Sequence, residues 1–234
     1  MDKRFYIRRA MGLDPRVIEM DFESEPILDQ VEEVAEKLKT ISNRKELWAY
    51  NDETAWRNEE EGTQGDGRVL ELLRKLWYPT DVSYGINLRD REKLYPLFKE
   101  LGRLFGTAEY PYAYRGVSIP ESVYGKKFLD KNYIPGEPIS PLVRQVLENL
   151  AYGLRSWAYT EYKAKMFATK FKNKQPVVFV LKNPNVILDG DSFIQKSNYY
   201  NAVDQFEIVL YLRDPKVVSI EKIKNVYFVT VTDN

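Results

Sequence analysis

The feature that most limits what this chain can become is a change of hydrophobic period near residue 107. Before it, apolar residues recur every three or four positions. In "ESEPILDQVEEVAEKLKTIS" the stripe Ile27, Val31, Val34, Leu38 and Ile41 predicts an amphipathic helix, with Pro26 as its first residue and acidic groups in the opening turn. A second helix is predicted in "RVLELLRKLW", ending before Pro79. A third runs through "LRDREKLYPLFKELGRLFG", most regular from Pro96 and stopping at Gly106 in a left-handed cap. Between the first two, "NDETAWRNEEEGTQGDGR" is polar and turn-rich, and its acidic run reads as a solvated face.

Beyond residue 107, Tyr and β-branched residues alternate with polar ones, which favours strands. "EYPYAYRGVSI", "LRSWAY", "PVVFVLK", "NVILDG", "DQFEIVLYL", "KVVSI" and "NVYFVTVT" are each strand-like, and Asn183-Pro184 separates the third from the fourth. Two helices interrupt them. One, capped by Ser140, runs through "PLVRQVLENLAYG" with Leu142, Val146, Leu147 and Leu150 inward; the other, capped by Thr160, runs through "TEYKAKMFATKF" with Ala164, Phe167, Ala168 and Phe171 as its stripe. Lys126 to Pro138 reads as a loop, and Asp189 and Asp191 in "LDGDSF" as a turn that lacks the further ligands of a calcium loop. The order is α+β: a mostly helical region over 1–107, then a mainly antiparallel sheet over 108–234.

Absences narrow the chemistry. The 234 residues contain no Cys and no His, so thiolate zinc sites, disulfides and histidine-assisted hydrolases are excluded. Lys plus Arg and Asp plus Glu both number 35, so no global field draws the chain to nucleic acid or an anionic membrane. No apolar run approaches the roughly 20 residues a bilayer span needs, and the first residues lack the apolar stretch of a signal peptide. The expectation is a cytoplasmic chain with no membrane attachment and no metal.

Three polar positions stand out in the strands: Arg115 in "YAYRGV", Ser156 in "LRSWAY", and Gln205 with Glu207 in "DQFEIVL". Alternation puts Gln205, Glu207, Val209 and Tyr211 on one face. Two readings are open for Glu207, an edge strand whose carboxylate meets water or a catalytic carboxylate with a helper two positions earlier.

The set "YRGV", "RSWAYTEYKAKMFA" and "QFEIVL", in that order, resembles the mono-ADP-ribosyltransferases of the phage and bacterial-toxin type. Their signature is an Arg on one strand, a Ser-centred strand running into a helix, and E-x-E or Q-x-E on a later strand. The resemblance covers roughly the last 125 residues. It implies a split β-sheet core of ADP-ribosyltransferase type, and NAD as co-substrate. It further implies transfer of ADP-ribose, with nicotinamide release, to a macromolecular acceptor, protein or nucleic acid. By the resemblance Glu207 stabilises the ribosyl cation and Ser156 supports it. Arg115, beside Gly116, holds the diphosphate, and Tyr159 lies near the nicotinamide or in the core. Gln205 meets the acceptor, and Tyr199 and Tyr200 occupy the acceptor-recognition loop or pack it. Q-x-E in place of E-x-E implies a non-arginine acceptor, an Asn or Gln side chain or a nucleobase. The strand reads Ser156-Trp157-Ala158 where the family often has S-T-S, so a supporting hydroxyl is missing. Two alternatives stay open: an NAD glycohydrolase of the same fold, and a binding or inhibitor protein on a degenerate scaffold. A monomer is expected, acting in a host cytoplasm if the chain is a phage or toxin protein.

Overall fold

A computed structural model describes residues 21–55, 57–58, 63–64, 67–76, 90–119, 121–170, 174–190 and 207–233. They fall into two compact units, one within Asp14–Gly106 and the other including Thr107–Asn234. Among the described residues no helix is long and apolar enough to cross a membrane.

The first unit is helical, with α1 (Asp21–Lys39), α2 (Arg44–Glu53), α3 (Arg68–Leu76), and a 3-10 turn (Asp90–Leu94) leading into α4 (Tyr95–Phe105); a two-residue pair, β1 (Arg57–Asn58) and β2 (Thr63–Gln64), lies between α2 and α3. Val31, Val34, Leu38 and Ile41 are buried as the stripe predicts, each fully buried aliphatic side chain contributing roughly 1.5–3 kcal/mol. The helix starts earlier than predicted, which leaves Pro26 in its second turn, where one i→i−4 hydrogen bond is forgone. Helix α2 was not predicted. Its signal is a capping exchange: Asn43 Oδ1 accepts from the Glu46 N–H (3.1 Å) while Glu46 Oε2 accepts from the Ser42 N–H (2.8 Å). Asn51, expected in a polar turn, is buried in α2 and accepts from the Leu70 N–H.

Two arginines finish these helices reciprocally. Arg103 of α4 donates to the carbonyls of Leu38, in the last turn of α1, and Ile41, just past it (2.8 Å each), and Arg44 of α2 donates to those of Leu104 and Phe105 at the end of α4. Each satisfies carbonyls that a helix end leaves without intrahelical partners. Gly106 stops α4 with φ 86°, although its ψ of 165° carries the chain straight out rather than into the left-handed helical cap expected.

The second unit is built on seven strands: β3 (Tyr112–Ile119), β4 (Gly153–Ala158), β5 (Gln175–Lys182), β6 (Val186–Asp189), β7 (Glu207–Leu212), β8 (Pro215–Ile223) and β9 (Val226–Asp233). Their spatial order is β6-β7-β4-β3-β5-β9-β8, and every neighbouring pair is antiparallel except β5 and β9. The α+β expectation therefore holds, with the helical region first and a mainly antiparallel sheet after it. Strands β3 and β5 pair along eight residues, whereas β3 and β4 pair only at Tyr114↔Ala158. The sheet is thus split into two wings, β6-β7-β4 and β3-β5-β9-β8, held together at one register position.

The main core lies on the face carrying Trp157, Ile208, Phe179 and Val229, packed under Val143, Val146 and Leu147 of α7 (Pro141–Ala151). Ser140 caps α7 as predicted, accepting from the Val143 N–H. Leu142 is 54% exposed and Val143 takes the inward position expected of it, because the inner stripe begins one residue later. A smaller cluster sits beneath α8 (Glu161–Thr169), where Ala164 and Ala168 meet Val178 and Val226. Phe167, expected inward, is exposed, since only alanines fit against the strand there. Thr160 occupies the N-cap position of α8, yet its side chain makes no capping bond.

After β3 comes a short helix, α5 (Glu121–Tyr124), and the loop expected over Lys126 to Pro138 holds another, α6 (Phe128–Asn132), because Phe128 and Leu129 reach the core. Asp130 of α6 accepts from Lys222 Nζ (2.5 Å) and from the Tyr227 hydroxyl, fastening α6 to the β8–β9 hairpin. The Lys222 ammonium and then the Tyr227 hydroxyl hold the Asp130 carboxyl below the usual carboxylate range. The unfolded chain therefore takes up this proton first as pH falls. The contribution is complete above the ordinary carboxylate value, about pH 4, and fades below it. Asp130→Asn is expected to flatten the acid side of a urea-midpoint-against-pH curve; an unchanged acid limb would count against this account.

Candidate active site

Register fixes which predicted residues meet. Across the central strands, Tyr114 pairs with Ala158 and Ala158 with Glu207, so these three lie in a row on one face. Ser156 pairs with Val209, which places Ser156 on that same face, diagonal to Glu207 at about 7–8 Å. Glu207 opens β7, flanked by β6 and β4, and is only 2% exposed. The edge-strand reading is therefore removed. A buried carboxylate inside a sheet calls for compensating polar groups, which an edge position would not need.

The missing hydroxyl acquires a geometry. Ala158 lies directly across from Glu207, so a small side chain leaves room beside the carboxylate. Trp157 points the other way, 1% exposed within the main core, where a hydroxyl would be out of place.

Arg115 and Gly116 divide between the two faces. A Cβ on Gly116 would fall 1.7 Å from the Ala164 carbonyl oxygen, so Gly116 faces α8 and the adjacent Arg115 projects to the other side. From there Arg115 Nη1 donates to the backbone oxygen of Ser156 at 2.7 Å. A side chain thereby bridges β3 and β4 close to the one position at which they pair, and the guanidinium is anchored at the split in the sheet.

Tyr159 stacks on Tyr110, with ring centroids 4.9 Å apart and planes 12° from parallel, against the main core. The Tyr110 hydroxyl donates to Asp189 Oδ2 at 3.3 Å. Asp189, expected in a turn, ends β6, pairs with Ile208 and is buried. The next residue, Gly190, lies against Glu207: a Cβ there would stand 2.9 Å from the Glu207 backbone oxygen and 3.4 Å from its Cβ. Gly190→Ala must therefore displace the first residue of β7. It is expected to cost roughly 1–3 kcal/mol of stability; an unaltered urea midpoint would show that the strand start has slack.

Sequence reasoning passed over Arg155, which is 4% exposed and paired with Leu210, on the Trp157 side of β4. The signal was available: a charged residue in phase with Trp157 in a strand has to be buried with it. Asp189 and Gly190 were missed because only the pairing of β6 with β7 gives them a relation to Glu207. Gln205, Tyr199 and Tyr200 lie outside the described residues.

No family model matches the chain, and no curated protein matches it. Among solved structures it is similar to the Vis toxin, an ADP-ribosyltransferase from Vibrio splendidus, at 16% identity and a TM-score of 0.34, over 88% of this chain and 85% of that one. It is similar to C3larvin toxin, an ADP-ribosyltransferase from Paenibacillus larvae, at 16% identity and 0.33, over 82% and 94%. The ADP-ribosyltransferase HopU1 of Pseudomonas syringae pv. tomato DC3000 is similar at 16% identity and 0.34, over 74% and 68%.

Proposed function

We propose that the chain is an NAD-dependent mono-ADP-ribosyltransferase acting on a non-arginine acceptor. The observation that carries this reading is the placement of Arg115, Ser156 and a buried Glu207 on three neighbouring strands at the split of the sheet, with Ser156 on the carboxylate's face and Arg115, on the opposite face by register, bonded to the Ser156 backbone. Their order along the chain is the one the motif resemblance requires.

Breaking the bond between ribose C1′ and the nicotinamide nitrogen sends the bonding pair to nicotinamide and leaves an oxocarbenium-like ribosyl cation. Glu207 supplies a negative charge fixed in a low-dielectric setting, where electrostatic stabilisation is strongest. No histidine is needed for this step. Arg115 offers a planar fork of donors that stays charged at any working pH, suited to the diphosphate. Ser156 stands on the carboxylate's own face and orients it. Gln205, two residues before Glu207, contacts the acceptor as an amide, which cannot deprotonate a guanidinium; hence the non-arginine acceptor. Tyr199 and Tyr200 meet the acceptor, and the helical region 1–107 contributes to its selection. The setting is the cytoplasm, a host's if the chain is a phage or toxin protein.

The test is incubation of the protein with adenylate-labelled NAD and cell lysate, followed by separation of protein from RNA. Label on either fraction together with free nicotinamide supports the transferase. Nicotinamide without label would mean that water is the acceptor and the chain is a glycohydrolase. The absence of both label and nicotinamide would overturn the reading altogether.

A further inference from the structure

Away from the candidate active site, a cavity of about 650 Å³ opens between the turn before α6, the start of β5 and the β8–β9 hairpin. Its rim carries four lysines, Lys126, Lys127, Lys174 and Lys222, against two carboxylates, Glu121 and Asp130. Asp130 is already engaged by Lys222 and Tyr227. Among the described residues neither Lys126 nor Lys127 makes an ion pair, and both are exposed.

The backbone is bent to present this pair. Gly125 has φ 82° and Lys127 φ 56°, and the second is an uncommon conformation for a residue with a Cβ. The wall between them is built of fixed groups. Gln175 is 7% exposed and its Oε1 accepts from the Leu129 N–H at 2.7 Å, which turns its amide nitrogen to the Asp130 side of the cavity. The site is separate from the first: Gln175 pairs with Ile119 and Phe179 with Arg115, four residues apart along the strands, or about 13 Å.

We propose that this cavity is a second ligand site, which binds a phosphorylated small molecule through the lysine rim. Lys126 and Lys127, together with Lys174 and Lys222, line one space of small-ligand size. Lys222 is held by Asp130, so the charge open to a ligand is that of Lys126 and Lys127, and two neighbouring ammonium groups match the several anionic oxygens of a diphosphate better than the two of a carboxylate. The binding is electrostatic at its rim and weakens as salt rises.

The test uses the full chain and inorganic pyrophosphate as probe. Calorimetry is expected to give saturable binding at low ionic strength, weakened about tenfold or more in the double variant K126Q/K127Q. Both lysines are exposed, so that variant retains the fold. Amide hydrogen exchange locates the probe independently, with protection expected at residues 125–131 and 222–227. Absence of saturable binding, equal affinity in the double variant, or protection confined to the surroundings of Arg115 and Ser156 would each overturn the proposal. So would binding that appears only with an oligonucleotide, which would make the rim a nucleic-acid surface.

Discussion

Glu207→Gln is expected to slow nicotinamide release from NAD by roughly two to three orders of magnitude, the usual effect of deleting one preorganised electrostatic group. The substitution keeps shape and volume and removes only the charge, so the loss reports on transition-state charge rather than on packing. Three features set the size of the effect. The residue is 2% exposed, so water cannot take over the role of the missing carboxylate. It sits between two strands, across from Ala158 and backed by Gly190, so the side chain has few alternative positions. The chain also has no histidine to stand in. The measurement is single-turnover nicotinamide release, with urea midpoints for both proteins to show that the fold survives. NAD affinity is expected to change far less than the rate, because the charge that Glu207 meets develops only as the bond breaks. A rate within a few-fold of the parent's would remove Glu207 from the mechanism.

What the sequence discloses about this site divides by the range of the contacts involved. The change of period near residue 107 separates helices from strands because it depends on neighbours three or four, or two, positions away. The direct run from β4 into α8 is equally local, as is the cap at Ser140. Helix α2 escaped detection for a related reason: only Leu47 and Asn51 of its residues are buried, so it carries almost no stripe, and its capping exchange is its one local mark. Glu207 is different in kind. Its alternation is visible, but its burial follows from β6 on one side and β4 on the other, and β4 lies some fifty residues earlier in the chain. Alternation gives the face of a side chain and says nothing of whether the strand is central. The same limit applies to Asp189, which resembles a turn residue until β7 is laid beside it.

Gly116 stands next to Arg115 in "YRGV", and the group that approaches it closely is a helix. Gly116→Ala is expected to cost about 3 kcal/mol or more, near the upper end for overpacking. The added Cβ would stand 1.7 Å from the Ala164 carbonyl oxygen, 2.7 Å from its carbon and 2.8 Å from the Ala168 nitrogen. All three are helix backbone, so no side-chain rotation relieves the clash; α8 must lift from the sheet. Ala164 and Ala168, both fully buried, already give the closest approach that side chains allow. Lifting α8 also strains the Ser118 hydroxyl's 3.0 Å bond to the Ala168 carbonyl and opens the small cluster with Val178 and Val226. Ser118→Ala serves as the control, since it removes that one hydrogen bond and is expected to cost about 1 kcal/mol. Urea midpoints of the two variants compare the terms directly. If Gly116→Ala costs no more than Ser118→Ala, the helix is not seated on the strand as described. Because α8 follows β4 within three residues, the displacement also reaches the Ser156 strand. Gly116→Ala is therefore expected to impair nicotinamide release even where the protein remains folded, although the glycine itself faces away from Arg115.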